Sequence, residues 1–192
     1  ESNHQIYSVI FEITPRCNFN CVHCYLHDHH ASKQLSYEEI IRIIDILYEK
    51  EVLFLTLTGG DVFTREDFLD IYLYAKKKGF IIEIYTNGAL ITDKVIDVFD
   101  KYPPLLVDIS LYGSCEETYK KVTGVSGAFE KVIKNIERML EKNIRVSLKA
   151  PVINLYFDEL PLIKAIAEKY NLPFRTGFEI LSKGTFFPMI SS

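Results

Sequence analysis

Apolar, β-branched runs recur along this 192-residue chain, and between them stand stretches whose apolar residues return at helical spacing. The run from Val52 to Thr58 is almost continuously apolar and has no polar face of its own. A strand of that kind is covered on both sides, as strands inside a parallel sheet are. Six such segments are predicted: Ser8–Thr14, Val52–Thr58, Phe80–Tyr85, Leu105–Ser110, Ile144–Lys149 and Phe174–Ile180. Helices are expected between them. Ser36 and Glu39 read as a capping box ahead of Ile40, Ile43, Ile44 and Leu47. Thr64 and Asp67 read as a second box, ahead of a helix closed by Gly79. Further helices are predicted over Thr92–Asp100, near Glu116–Lys121, from Gly127 to Lys142, and from Asp158 as cap to about Tyr170. The fold class is therefore α/β, with parallel strands joined by right-handed crossovers. Periodicity leaves two arrangements open, a doubly wound sheet and a curved partial barrel.

Composition narrows the function. Hydrophobic residues make up 48 % and charged residues 25 % of the chain, an ordinary globular balance. The length suits one domain, residues 1–192, with no linker, repeat or low-complexity tract. A formal charge of −4 offers no footprint for nucleic acid or for an anionic membrane. No apolar run approaches the ~20 residues that span a bilayer, and no basic-then-apolar leader is present.

Three of the four cysteines, Cys17, Cys21 and Cys24, fall in one loop directly after the first strand. The C-terminal ends of parallel strands are where such folds place their chemistry. Three thiolates can hold a [4Fe–4S] cluster and leave one iron open, whereas a structural metal site closes its shell with a fourth protein ligand. Zinc is the competing reading, because His23, His27, His29 and His30 lie nearby. Zinc sites, however, favour a second ligand pair after a longer loop, and this chain has none. The clustering does not suit a disulfide framework, and free thiolates point to a reducing, cytoplasmic setting. Cys115 stands alone and reads as a packing residue.

The other strand ends carry their own groups. Gly59-Gly60-Asp61 follows the second strand, where glycines allow close backbone approach and a carboxylate can accept from an ammonium group. Thr86-Asn87-Gly88 ends the third, Ser110 the fourth, and Lys149 the fifth, with Asn154 just beyond. Taken singly, each has a plainer reading: two turns, a loop-capping serine and a solvated lysine. No G-x-G-x-x-G follows the first strand, so a dinucleotide site is disfavoured.

The segment Thr-Pro-Arg-Cys-Asn-Phe-Asn-Cys-Val-His-Cys-Tyr, with its C-x₃-C-x₂-C spacing, resembles the signature of the radical S-adenosylmethionine (SAM) enzymes. The resemblance extends from about Val9 to Leu181 through the ordered strand-end motifs. It implies a partial (β/α)6 TIM-like barrel in which Cys17, Cys21 and Cys24 hold a [4Fe–4S] cluster. The amino and carboxylate groups of SAM would take the open iron. His23 stands where the family usually has an aromatic residue, and with Tyr25 it is assigned to the cofactor surface. Gly59, Gly60 and Asp61 match a Gly-Gly-Glu motif that holds the SAM amino group, with the acid one methylene shorter. Asn87 belongs to a Thr-Asn-Gly motif, Ser110 matches a ribose-binding serine, and Lys149 would meet the SAM carboxylate or a substrate anion.

Motif spacing, with Gly113, Thr123-Gly124 and Gly127-Ala128-Phe129, is most similar to the subgroup bearing a C-terminal SPASM or twitch extension. That subgroup implies a peptide or protein substrate, such as a ribosomal precursor peptide, and an electron donor such as flavodoxin or ferredoxin. A small-molecule substrate such as a porphyrin precursor is the alternative within enzymes, and a zinc- or cluster-binding interaction module is the alternative outside them. No side chain is assigned a catalytic role. The chain starts at Glu1 and has no cysteine after Cys115, so the expectation is a core without its C-terminal extension.

Overall fold

The computed structural model describes residues 5–24 and 33–177, together with the backbone of residues 181–182 and 185–186. Six strands form one sheet: β1 (Ser8–Thr14), β2 (Phe54–Gly59), β3 (Ile81–Thr86), β4 (Leu106–Ser110), β5 (Val146–Pro151) and β6 (Phe174–Gly177). All five pairings are parallel and the spatial order is the sequence order. Leu181–Ser182 and Thr185–Phe186 pair separately and antiparallel. The last three residues expected in the sixth strand lie outside the described ones.

Sequential order decides between the two arrangements. A doubly wound sheet reverses direction at a switch point, and this one does not. Right-handed crossovers that always advance the same way put their helices on one face. These are α1 (Tyr37–Glu49), α2 (Phe68–Lys78), α3 (Asp93–Lys101), α4 (Glu116–Thr123), α5 (Ala128–Glu141) and α6 (Leu160–Lys169). Leu55, Leu57, Ile82, Ile84, Val107, Ile109, Val146 and Leu148 are buried toward them. Each large apolar side chain buried there is worth about 1.5–3 kcal/mol, so Val132, Ile136 and Met139 set the rotation of α5.

Strand alternation sends the intervening residues to the other face. Phe54, Ile81 and Leu106 lie at its N-terminal end, and toward the C-terminal ends of the strands the residues are polar: Glu12, Thr56, Thr58, Glu83, Tyr85, Asp108, Ser110, Ser147, Lys149 and Arg175. In a flat sheet β6 and β3 would stand about 14 Å apart. Arg175 on β6 nevertheless donates to the Tyr85 hydroxyl on β3 at 3.2 Å. The sheet therefore curls around this polar face, giving the partial barrel and its lumen.

Helix starts show where local signals win and lose. The Ser36 box forms as expected, with Glu39 N–H donating to Ser36 Oγ at 3.2 Å and Ser36 N–H to Glu39 Oε2 at 2.7 Å. Gly79 closes α2 at φ 96°. The Thr64–Asp67 box does not form. Thr64 sits in a 3₁₀ turn, Val62–Thr64, and its hydroxyl donates to the Asp61 carbonyl at 2.7 Å. Asp67 instead pairs with Arg65 at 2.8 and 2.7 Å, and Arg65 also donates to the carbonyls of Ile13 and Leu35. A buried guanidinium without a counter-charge costs more than a lost cap. Asp158 likewise is not a cap: it lies in the 3₁₀ helix Asn154–Glu159, and α6 starts after Glu159.

Candidate active site

The chain leaves β1 at Thr14 and runs through the cysteine loop, which is docked at both backbone and side chain. Asn20 N–H donates to the Thr123 carbonyl at 2.9 Å and Val22 N–H to that of Val122 at 3.0 Å, tying the loop to the end of α4. Phe19 is buried, edge-on to Tyr112 and Tyr119 at 6.4 and 6.2 Å between ring centres. Cys24 N–H closes a turn onto the Cys21 carbonyl at 3.0 Å.

The three half-buried sulfurs line a cavity of about 470 Å³ at the C-terminal mouth of the barrel. Cys17 Sγ accepts from Phe19 N–H at 3.4 Å and from Asn87 Nδ2 at 3.7 Å. Burial pushes the Cys17 thiol up to about 11, and the Cys21 thiol higher still. A bound metal centre's positive charge would invert that preference and make thiolates of them. His23 packs its ring 5.1 Å from that of Tyr112, and burial pushes its pKa down to about 4, leaving it neutral at pH 7. Its Nδ1 is a buried polar atom with no hydrogen-bond partner among the described residues.

The two glycines are required by the chain itself. A Cβ on Gly59, at φ 154°, would stand 2.1 Å from the Thr14 carbonyl oxygen, and one on Gly60 2.3 Å from that of Arg16. Gly60 and Asp61 N–H donate to those same carbonyls, each at 2.8 Å. The end of β2 thus runs against the first residues of the cysteine loop and holds it in place.

Asp61 does not line the cavity. Its carboxylate is fully buried and accepts from Phe63 N–H at 3.0 Å, Thr86 Oγ1 at 2.7 Å and Asn87 N–H at 2.8 Å. Burial is the main influence on it and raises its pKa against those three donors. Asn87 is pinned further: its Nδ2 donates to Asn18 Oδ1 at 2.8 Å, and its Oδ1 accepts from Ala89 N–H at 2.9 Å. Asp61 therefore positions Asn87, and Asn87 reaches the cysteine.

Ser110 and Lys149 line the cavity, joined by Tyr85 and Arg175, to which sequence reading gave no role. Lys149 is not a solvated surface lysine. Its Nζ lies 3.6 Å from the centre of the Tyr85 ring and 3.3 Å from Asp108 Oδ2, and burial lowers its pKa. Asn154 is exposed, and Cys115 is an exposed residue at the head of α4; neither lines the cavity. Tyr25, His27, His29 and His30 lie outside the described residues.

The donor set fits a cluster. Three cysteine sulfurs face one cavity, while among the described residues no three His, Cys, Asp or Glu side chains converge as a single ion requires. A four-iron cluster spreads its ligands over different metals and needs no such convergence. A curled parallel sheet with this loop at its mouth and a polar lumen below defines a barrel enzyme built around a thiolate-held metal group. The chain belongs to the radical SAM superfamily, whose sequence profile matches residues 11–161. Enzymes of this superfamily use a [4Fe–4S] cluster and SAM.

The Fe-coproporphyrin III synthase of Methanosarcina barkeri is 30% identical over 167 residues, which cover 86% of this chain and 42% of that protein. The antilisterial bacteriocin subtilosin biosynthesis protein AlbA of Bacillus subtilis is 31% identical over 144 residues, covering 74% of this chain and 32% of AlbA. The chain thus spans less than half the length of either relative. Among solved structures, Streptococcus suis SuiB bound to its precursor peptide SuiA superposes with a TM-score of 0.79 at 15% identity, over 89% of this chain and 39% of that one. That likeness shows the fold.

Proposed function

We propose that residues 1–192 are the core of a cytoplasmic radical SAM enzyme that modifies a peptide or protein side chain. The observation that carries this reading is the cysteine loop, held rigidly at the barrel mouth with three sulfurs on one cavity and the polar lumen beneath. When bound, the cluster and SAM supply a 5′-deoxyadenosyl radical that takes hydrogen from an unactivated carbon, chemistry no side chain provides. Cys17, Cys21 and Cys24 hold the cluster. Gly59 and Gly60 present backbone to the cavity, and Ser110 would offer its hydroxyl to a ribose. Buried Phe19 and half-buried Tyr112 form an aromatic wall beside the sulfurs. The His23 ring lines the same cavity.

A peptide substrate is supported by AlbA among the sequence relatives and by SuiB, captured with a precursor peptide, among fold neighbours. The reducing electron would come from a flavodoxin or ferredoxin. One observation favours a second reading: the Fe-coproporphyrin III synthase is as similar as AlbA is, which keeps a porphyrin-like small molecule as the rival substrate. No helix among the described residues is long and apolar enough to cross a membrane.

The test is anaerobic reconstitution with iron and sulfide, reduction, and quantification of 5′-deoxyadenosine after addition of SAM. Product from the wild type and none from Cys21→Ala is the expected result. Zinc taken up in place of iron and sulfide would overturn the reading. Product formation stimulated by a candidate precursor peptide and not by coproporphyrin would select the peptide class.

A further inference from the structure

The barrel mouth carries a second group of side chains, on the wall built by β3 to β6. Register sets Lys149 beside Ser110 on one side and Arg175 on the other, so these three share a level at the strand ends. One level deeper, Tyr85, Asp108 and Ser147 are in register. Asp108 is fully buried and is approached by both cations: Lys149 at 3.3 Å and Arg175 through a hydrogen bond to the same Oδ2. Ser147 Oγ donates to its other oxygen at 2.5 Å. Tyr85 holds the pair from the side, its ring against Lys149 and its hydroxyl accepting from Arg175.

One carboxylate at this depth cannot neutralise two cations. The other acid facing Lys149, Glu83, stands a further level down, in register with Leu106. The two cations are uppermost, at the strand ends, with Asp108 and Glu83 beneath them; Glu12 shares the lumen face on β1, in register with Thr58. Both hydrogen bonds that hold Arg175 among the described residues leave from Nη2. A guanidinium has five N–H groups in a planar fork that matches a carboxylate. Its orientation is already set by Asp108 and Tyr85, so little ordering is left for a ligand to impose.

We propose that Arg175, backed by Lys149, anchors a carboxylate of the substrate, and that the substrate is an acidic one: a peptide presenting a Glu or Asp side chain beside the residue to be modified. This rests on the radical SAM reading and deepens it. SAM's own carboxylate is the other possible source of the anion. Exposure argues for the substrate: the Arg175 side chain is 55% exposed against 26% for Lys149, so it stands at the outer side of the cavity, where a substrate arrives.

The test needs no turnover. N-acetyl-glutamyl-methylamide and its neutral counterpart, N-acetyl-glutaminyl-methylamide, are titrated into the reconstituted, SAM-loaded protein, with binding read by saturation-transfer NMR. The glutamyl probe should bind about tenfold tighter, the gain expected of a charge-assisted hydrogen bond. Arg175→Gln should abolish that preference and leave SAM affinity, measured by calorimetry, unchanged. Arg175→Lys keeps the charge and should keep part of the preference, so it controls for a Gln variant that fails to fold. Equal binding of the two probes overturns the proposal, as does a folded Lys variant with no preference. A loss of SAM affinity in Arg175→Gln also overturns it and assigns the arginine to the cofactor. Measuring 5′-deoxyadenosine on the same samples separates the two readings: carboxylate preference without SAM cleavage would sink the radical assignment and leave the anion site standing.

Discussion

The side-chain amide of Asn87 lies 3.7 Å from the sulfur of Cys17, and it is held there by Asp61, which accepts the Asn87 backbone N–H at 2.8 Å. A residue at the end of the third strand thus donates to a cysteine sulfur on the loop after the first. Hydrogen bonds to cluster sulfurs favour the more negative, reduced state and so raise the reduction potential. Asn87→Ala should lower the midpoint potential of the reconstituted cluster, and Asn87→Asp, which adds a negative charge, should lower it further. Anaerobic potentiometry followed by electron paramagnetic resonance reads this directly. An unchanged potential in a variant with full iron content would show that the contact does not persist once the cluster is in place.

Asp61 makes a different prediction, about stability. Asp61→Asn turns an amide N–H₂ either toward Phe63 N–H or toward both Thr86 Oγ1 and Asn87 N–H, so at least one hydrogen bond to a charged acceptor is lost, a cost of about 2 kcal/mol. Asp61→Glu, the family's usual residue here, forces a methylene into a fully buried site and should cost about 1–3 kcal/mol. The wild type should also show a pH slope that Asp61→Asn lacks. Burial raises the folded pKa, so the native state holds the proton more tightly than the unfolded chain does. Stability from this group is then greatest at low pH and falls as pH rises from the ordinary carboxylate range through the raised value. Urea melts between pH 4 and pH 8 (roughly the window set by an ordinary carboxylate pKa of about 4) would reveal a missing or opposite slope.

Gly60→Ala and Gly79→Ala should differ although both replace a loop glycine. At Gly79 an added Cβ meets nothing within 4 Å, so the cost is that of the left-handed conformation alone, about 1–2 kcal/mol. At Gly60 the Cβ would lie 2.3 Å from a backbone oxygen of the cysteine loop, and the loop must move. That variant should lose about 3 kcal/mol or more, in the range of severe core changes, and should bind less iron. Equal melting temperatures for the two would contradict the tight junction between the ends of β1 and β2.

What could be read from residue order follows from how local each cause is. The strands are legible because β-branched and apolar residues recur at their helix-facing positions, although the other face is a polar lumen and not a second buried one, and Ser36 and Gly79 act within one turn of chain. The Cys17–Cys24 loop is legible because ligand spacing is itself local. The Thr64–Asp67 box failed because Arg65, held to the carbonyls of Ile13 and Leu35 from distant segments, takes the Asp67 carboxylate as its counter-charge. Asp61 turned inward because Thr86 and Asn87 arrive from β3, 25 and 26 residues on. Arg175, Tyr85 and Asp108 escaped notice because only the curl of the sheet brings the third and sixth strands together. A period of two marks each as facing the lumen, but not which of them meet.

Phe19 tests whether the loop's rigidity matters to the metal site. Its ring fills the space between Tyr112 and Tyr119 and is almost fully buried, so Phe19→Ala removes a core side chain and should cost about 3–5 kcal/mol. Phe19→Leu keeps most of the volume and should cost less than about 1.5 kcal/mol. The loop retains its two backbone bonds to α4 in either case. If packing of Phe19 is what keeps the three sulfurs on one cavity, iron and sulfide per chain after reconstitution should fall sharply in the Ala variant and little in the Leu variant. Full cluster content in a destabilised Phe19→Ala protein would separate the two roles, leaving Phe19 to the core and the positioning of the sulfurs to the backbone bonds at Asn20 and Val22.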